Sequence, residues 1–203
     1  MNSVKYCDKD VYPSKIVCIG RNYAEHIAEL NNETPTEPVF FIKPNSAISN
    51  ELQFNEEVAI HFEGEIVFLI QAGELAGIGF GLDLTKREVQ SKLKQKGLPW
   101  ERAKAFDKSA VLSDFVEFSG DCQGLSMELY INDRLAQKAD FDLMLHKPQA
   151  ILQEASSFLT FEDNDLLMTG TPKGVGVIKL GDQFYAKVMH NNDVLVEASW
   201  LVR

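Results

Sequence analysis

Short apolar runs separated by polar and breaker clusters make up most of this chain, and their alternation points to strands more often than to helices. The clearest run, Ile66-Val67-Phe68-Leu69-Ile70, is apolar on both faces of an extended segment and so predicts sheet interior rather than a solvated edge. Strands are predicted over residues 15–20, 39–42, 58–60, 63–70 and about 77–84. Helical spacing runs through Tyr23, Ile27 and Leu30, and Thr85 with Glu88 has the form of a capping box opening a helix over 86–96. Residues 31–38 are rich in breakers and polar groups, so 22–36 reads as a helix and loop able to move as a lid. After a linker at 112–124, residues 125–132 and 135–140 predict a hairpin turning at Asn132-Asp133, and Pro148 opens a helix to residue 159. Strands over 165–169, 183–190 and 194–202 close the chain, the last two joined at Asn191-Asn192-Asp193. Strands dominate, helices are few and βαβ alternation is absent, so the expected class is α+β, mainly β, with a mixed sheet. A chain of 203 residues has room for one substantial core, and a single domain over 1–203 is expected.

Three carboxylates interrupt this apolar pattern. Glu63 and Glu65 share one face of their strand, with Gly64 leaving the other open, and Asp83 sits where the next apolar run meets a helix. Most Glu-x-Glu pairs are exposed strand positions. Here the flanks are apolar and read as buried strand, and an uncompensated buried carboxylate costs several kcal/mol or more, so a cation must offset the group. A hard divalent ion held by oxygen ligands, or an Arg/Lys clamp, would do so.

Composition narrows the function. With 20 Lys plus Arg against 30 Asp plus Glu the net charge is -10, which argues against nucleic acid or an anionic membrane as a partner. Cys7, Cys18 and Cys122 are widely spaced with no CxxC, so neither a disulfide framework nor a zinc site is indicated. No segment approaches the roughly 20 apolar residues of a membrane span, and the N-terminus lacks an apolar signal core. A cytoplasmic protein is the expectation.

Other residues bear on chemistry more weakly. His26 and Glu29, three apart on one helix face, have the spacing of a base and its orienting carboxylate, although a solvated face shows the same spacing. His61, His146 and His190 are isolated and read as satisfied structural histidines. Arg21, Lys43, Arg87, Lys104 and Lys173 recur beside the acidic segments, where an anionic substrate would need cationic grips. The run Thr169-Gly170-Thr171-Pro172-Lys173-Gly174-Val175-Gly176 lacks the spacing of a nucleotide-binding loop. It reads either as a turn that needs glycine or as a loop presenting Thr171 and backbone N–H groups to a substrate carboxylate.

Taken in order, Gly20-Arg21-Asn22-Tyr23, Phe41-Ile42-Lys43-Pro44, Glu63-Gly64-Glu65, Leu82-Asp83-Leu84-Thr85-Lys86-Arg87-Glu88-Val89-Gln90, Lys96-Gly97-Leu98-Pro99-Trp100 and the Thr169 to Gly176 run resemble the fumarylacetoacetate hydrolase family. Within it the chain is most similar to the small acylpyruvases and oxaloacetate decarboxylases. The resemblance implies a mixed β-sandwich roll, a homodimer, and Mg²⁺ or Mn²⁺ held by Glu63, Glu65 and Asp83, with Ca²⁺ as a substitute. It implies His26, Glu29 and Lys104 as catalytic residues, the first two on a lid where they activate a water. It implies Arg21, Lys43, Arg87, Gln90 and Thr171 as contacts for a small 2-oxo acid. Many relatives carry a longer segment with a helix between Glu65 and Asp83, where this chain has the short turn Gln71-Ala72-Gly73-Glu74.

The activity this implies is hydrolysis of a C–C bond in a 3-acylpyruvate through a metal-stabilised enolate, with decarboxylation or keto–enol tautomerisation of oxaloacetate at the same site as the alternative. Two readings of another class stand beside it. One is a non-catalytic divalent-metal-binding module, for which His26, Lys104 and the Thr171 loop would be superfluous. The other is a β-rich interaction protein using Phe40, Phe41 and Trp200, residues more simply explained as core and dimer packing.

Overall fold

The computed structural model describes residues 1–30 and 35–203. A hairpin of β1 (Val4–Tyr6) and β2 (Lys9–Val11) precedes β3 (Lys15–Gly20), the short helix α1 (Ala24–Glu29), β4 (Val39–Pro44) and β5 (Ile48–Ser49). Next come β6 (Ile60–Phe62), β7 (Gly64–Gln71), β8 (Glu74–Asp83), β9 (Thr85–Lys86), the helices α2 (Arg87–Gln95) and α3 (Glu101–Lys104), and strands β10 (Ala110–Leu112) and β11 (Val116–Glu117). The chain ends with β12 (Leu125–Ile131), β13 (Arg134–Asp140), α4 (Pro148–Ser156), β14 (Leu166–Met168), β15 (Gly176–Val177), β16 (Gln183–His190) and β17 (Asp193–Leu201). Strands dominate, as expected. Of the 31–38 loop and the 22–36 lid read from the sequence, residues 31–34 lie outside the described residues.

The main sheet has eight strands, in the order β4-β3-β14-β7-β8-β10-β5 with β11 pairing onto β8. It is mixed: β14 runs parallel to β3 and antiparallel to β7. A second sheet, β13-β12-β16-β17, packs across it. Alternation along β7 divides the core. Ile66, Phe68 and Ile70 face the second sheet in a cluster with Met127, Leu129, Phe184 and Val188, while Val67 and Leu69 face the opposite way with Ile16, Cys18, Leu166 and Met168. The sandwich is held by ring contacts such as Phe62 edge-on to Phe184 at 5.2 Å. On the other face β8 presents Gly77, Gly79 and Gly81 ahead of Asp83. A Cβ on them would come within 2.8–2.9 Å of Tyr6, Phe115 and Val67 respectively, so the bare backbone is what lets those side chains pack.

Several expectations shift. The predicted 58–60 strand is displaced to β6, and the 112–124 linker contains β11, whose Val116 pairs with Ile78 of β8. The 148–159 helix ends at Ser156. The capping box does not form: α2 starts from Lys86 with no side-chain cap, because Thr85 belongs to β9 and its hydroxyl turns inward to Asp83 and Lys104. The turns behave as read. Asn132-Asp133, Asn191-Asn192 and Ala72-Gly73 all take positive φ, the pair of left-handed residues that a tight hairpin requires.

Candidate active site

Because β7 and β8 pair with Glu65 opposite Gly81, Glu63, Glu65 and Asp83 emerge on one face at the same end of this hairpin. Each offers an oxygen within 4.8 Å of the other two, and all three are buried. Gly64 does not leave the reverse face open as the sequence suggested. A Cβ there would lie 2.9 Å from Gln137 Oε1 and from the Phe80 ring, so glycine is required by packing.

The charge on the triad is offset by cations of the chain itself. Lys104, at the end of α3, places its ammonium 2.8 Å from Glu63 Oε2, 2.6 Å from Asp83 Oδ2 and 2.6 Å from Thr85 Oγ1. The Arg87 guanidinium grips Glu63 and donates to Gln90 Oε1 at 2.8 Å. Burial opposes ionisation of Glu63, but Lys104 and then Arg87 outweigh it and hold its carboxyl far below the usual range. Lys104 is likewise held protonated: burial disfavours its charge, and Asp83 with Glu63 more than restores it. Glu65 accepts the Gly170 N–H at 2.7 Å, yet burial, then Asp83 and Glu63, push its carboxyl well above the carboxylate range.

Lys43, expected to contact substrate, is not part of the cleft lining. It is fully buried behind the site, 2.8 Å from Asp83 Oδ1, with its ammonium bonded to the carbonyls of Lys104 and Ser109 and to the Ser109 hydroxyl. Position 43 faces inward from a strand whose pairing partner is Ile16, and the alternation of β4 alone does not reveal which polar residue is enclosed. Asp83 Oδ1 has this charge beside it but, among the described residues, no hydrogen-bond donor aligned on it.

The remaining residues form the walls of a narrow cleft over the triad. It is lined by Arg21, His26, Phe41, Arg87, Gln90, Lys94, Trp100 and Thr171 among others. His26 Nδ1 lies 3.1 Å from Glu29 Oε2, and Glu29 Oε1 accepts the Gly174 N–H at 3.0 Å. The dyad is therefore real in space, and it ties α1 down on the glycine-rich loop. Within that loop the Gly170 and Gly174 N–H groups donate to Glu65 and Glu29, while Thr171 lines the cleft. Arg21 occupies a left-handed backbone conformation, φ 60, which an arginine adopts only where the surroundings enforce it. Lys173 pairs with Glu25 at 3.2 Å on the outer surface. His61 departs from the satisfied histidine expected: its Nδ1 is buried with no hydrogen-bond partner among the described residues, and burial, then Arg87, lowers its pKa.

Two positioning residues escaped the sequence reading. Gln137, on β13, accepts the Gly64 N–H at 2.8 Å and donates to Thr171 Oγ1 at 2.8 Å and Pro172 O at 2.9 Å, joining the acidic strand to the glycine-rich loop. Asn22 donates to Thr169 O and His146 O and accepts the His146 N–H, fixing the turn from β3 into α1. Lys94 and Trp100 were also not singled out for the cleft.

The donor set is made only of carboxylate oxygens, closely spaced and buried, with one oxygen lacking a donor among the described residues; these residues fit a hard divalent cation. The cleft also carries a base-like dyad and cationic grips, which a structural ion would not need.

Comparison with known proteins agrees. Oxaloacetate tautomerase YcgM of Escherichia coli (strain K12) is 42% identical over 191 residues, covering 85% of this chain and 87% of that protein. A crystal structure of a putative fumarylacetoacetate isomerase/hydrolase from Oleispira antarctica superposes with TM-score 0.94 at 34% identity over 100% of both chains. Fumarylpyruvate hydrolase from Pseudomonas aeruginosa, solved in complex with Mn²⁺ and pyruvate, superposes with TM-score 0.88 at 28% identity over 99% of this chain and 95% of that one. Residues 15–200 match the family described as fumarylacetoacetate (FAA) hydrolase C-terminal. On this match over residues 15–200, and on relatives alike over most or all of their length, the chain belongs to the fumarylacetoacetate hydrolase family.

Proposed function

We propose that this protein is a divalent-metal-dependent tautomerase that interconverts the enol and keto forms of oxaloacetate. The observation that carries the reading is the placement of the His26–Glu29 dyad and the Lys104 ammonium in one cleft with the buried Glu63, Glu65 and Asp83. That set suits proton movement next to a carbonyl. The 42% identity with an oxaloacetate tautomerase supports oxaloacetate as the substrate and favours tautomerisation over C–C hydrolysis, the reading the sequence alone had favoured.

A divalent cation held by Glu63, Glu65 and Asp83 would act as a Lewis acid toward the carboxylate and 2-oxo oxygens of the substrate. The chain does the rest. Glu29 faces Nδ1, so that nitrogen carries the proton and Nε2 is the free base. His26 Nε2 takes a proton from C3 of the keto form. The C–H electrons become the C2–C3 double bond and the carbonyl pair moves to O2, whose charge the Lys104 ammonium stabilises until O2 takes a proton from solvent as the enol leaves and His26 returns its own to solvent. The reverse sequence forms the keto tautomer. Phe41, whose ring lies 5.0 Å from the Lys104 ammonium, and Trp100 restrict water at this point.

Hydrolysis of an acylpyruvate at the same site is the second reading, favoured by the likeness to fumarylpyruvate hydrolase, with the dyad taking its proton from water instead. One assay separates the two. Decay of enol-oxaloacetate absorbance is followed with Mg²⁺ or Mn²⁺ and again after chelation, with acetylpyruvate run in parallel. Chelator-sensitive acceleration with acetylpyruvate left intact supports the tautomerase; cleavage of acetylpyruvate with no effect on the enol sinks it.

A further inference from the structure

Three buried side-chain atoms have no hydrogen-bond partner among the described residues: Asp83 Oδ1, His61 Nδ1 and Arg87 Nε. The first lies against the Lys43 ammonium at 2.8 Å. The other two complement each other, since Nε carries a hydrogen and an imidazole nitrogen can accept it.

Backbone pairing brings these two together. His61 pairs with Thr85 across the antiparallel β6–β9 ribbon, so their side chains leave it on the same side, where the Thr85 hydroxyl meets Lys104. Glu63 stands two residues past His61 and Arg87 two past Thr85, on either side of that pair. To grip Glu63, as it does, the Arg87 arm lies back across the ribbon and passes the imidazole. The ring feels both ends of this ion pair, Arg87 more than Glu63, and after burial the guanidinium is what keeps it neutral, with a lone pair to offer. One terminal nitrogen of Arg87 already holds Glu63 and the other donates to Gln90 Oε1. A group that holds Nε therefore fixes the plane of the guanidinium and both contacts with it. His61 is not among the residues lining the cleft, so its influence runs through Arg87.

We propose that His61 is a positioning residue: its Nδ1 accepts the Arg87 Nε–H, directly or through one water, and so fixes the guanidinium that orients Glu63 and Gln90. The effect on a bound cation rests on the divalent-metal reading given above; the bridge does not. The bridge is read by NMR on wild-type protein with isotope-labelled arginine and histidine side chains. The Arg87 Nε–H signal, identified by its loss in Arg87→Gln, should exchange with water roughly tenfold more slowly than that of the exposed Arg134, and His61 should carry its hydrogen on Nε2. Exchange as fast as at Arg134, or a hydrogen on Nδ1, overturns the proposal. Variants then test the consequence by calorimetric titration of Mn²⁺. His61→Phe keeps a ring without the acceptor and should weaken Mn²⁺ roughly tenfold, the low end for a partner outside the ligand shell. His61→Asn, which places an acceptor near the Nδ1 position, should recover most of that affinity. In an Arg87→Gln background His61→Phe should change affinity by less than about twofold. Equal losses in the Phe and Asn variants, or an undiminished effect without Arg87, overturn the proposal by reducing His61 to packing. A wild type that binds no Mn²⁺ refutes the divalent-metal reading, and the nitrogen spectra then decide the bridge alone.

Discussion

Replacing Gln137 by leucine tests whether the acidic strand and the glycine-rich loop form one unit. The side chain is 1% exposed and makes three bonds of 2.8–2.9 Å, to the Gly64 N–H, the Thr171 hydroxyl and the Pro172 carbonyl. Leucine is close in volume but offers no polar atom. The Gly64 N–H, buried between Glu63 and Glu65, then has no acceptor, at a cost of about 1–3 kcal/mol. The Pro172 carbonyl loses its donor at a smaller cost, since a carbonyl with two lone pairs tolerates under-satisfaction better than an N–H, and the Thr171 hydroxyl can rotate. Together these give about 2–4 kcal/mol, or a fall of roughly 5–12 °C in Tm for a chain of this size. Because Gly64 lies between two of the three triad carboxylates, Mn²⁺ affinity should fall in the same variant. The assay is thermal unfolding followed by circular dichroism, with Mn²⁺ titrated calorimetrically. A Tm within about 1 °C of wild type together with unchanged Mn²⁺ affinity would refute the reasoning, since the bridge would then hold nothing in place.

His26→Ala should lower tautomerase kcat by about a hundredfold or more and leave Mn²⁺ affinity nearly unchanged, whereas Glu63→Gln should weaken Mn²⁺ itself; similar metal affinities in the two variants would count against this division of roles. Gly170→Ala should destabilise the protein, because its φ of 90 is unfavourable for alanine and the new Cβ would lie 2.8 Å from Asn22 Cβ; wild-type Tm and activity there would contradict the packing described. Asp165 gives a pH prediction. Burial would raise its carboxyl, but Lys15, the Glu162 N–H and Ser14 hold it below the ordinary value, so its stabilisation is complete above that value and is lost as pH falls through the depressed one. The gap in Tm between wild type and Asp165→Asn should be constant through neutral and mildly acid pH and narrow as pH falls below the ordinary carboxylate value; a gap that widens in acid would reverse the sign of the argument.

Local pattern carried the reading where each residue's reason lies close to it in sequence. β3 follows from six residues whose flanks are polar, and the β12–β13 hairpin from Asn132-Asp133 between alternating strands. The triad was legible because carboxylates inside apolar strands need a cation wherever the strands end up. The failures share a cause. Thr85 and Glu88 have capping spacing, but Lys104, brought in by a separate helix, takes the hydroxyl. Lys43 and Lys94 are both lysines beside site motifs, and only the assembled fold shows that the first is enclosed behind Asp83 and the second faces the cleft. Gln137 and Asn22 are single polar residues whose partners lie 73 and 147 positions away, a distance over which no periodicity speaks.

The order of strands in the main sheet bears on how the protein is made. β3 and β7 are never neighbours; β14, near the end of the chain, lies between them, parallel to one and antiparallel to the other. During synthesis the β7–β8 hairpin and its acidic end can form early, while β3 with α1 and its histidine must wait for Leu166–Met168 to leave the ribosome before the two halves join. A transcript cut short before that point would yield two half-sheets with bare edges, prone to pairing with other chains. The joining of the His26 side of the cleft to the acidic hairpin is thus contingent on one three-residue strand made long after both.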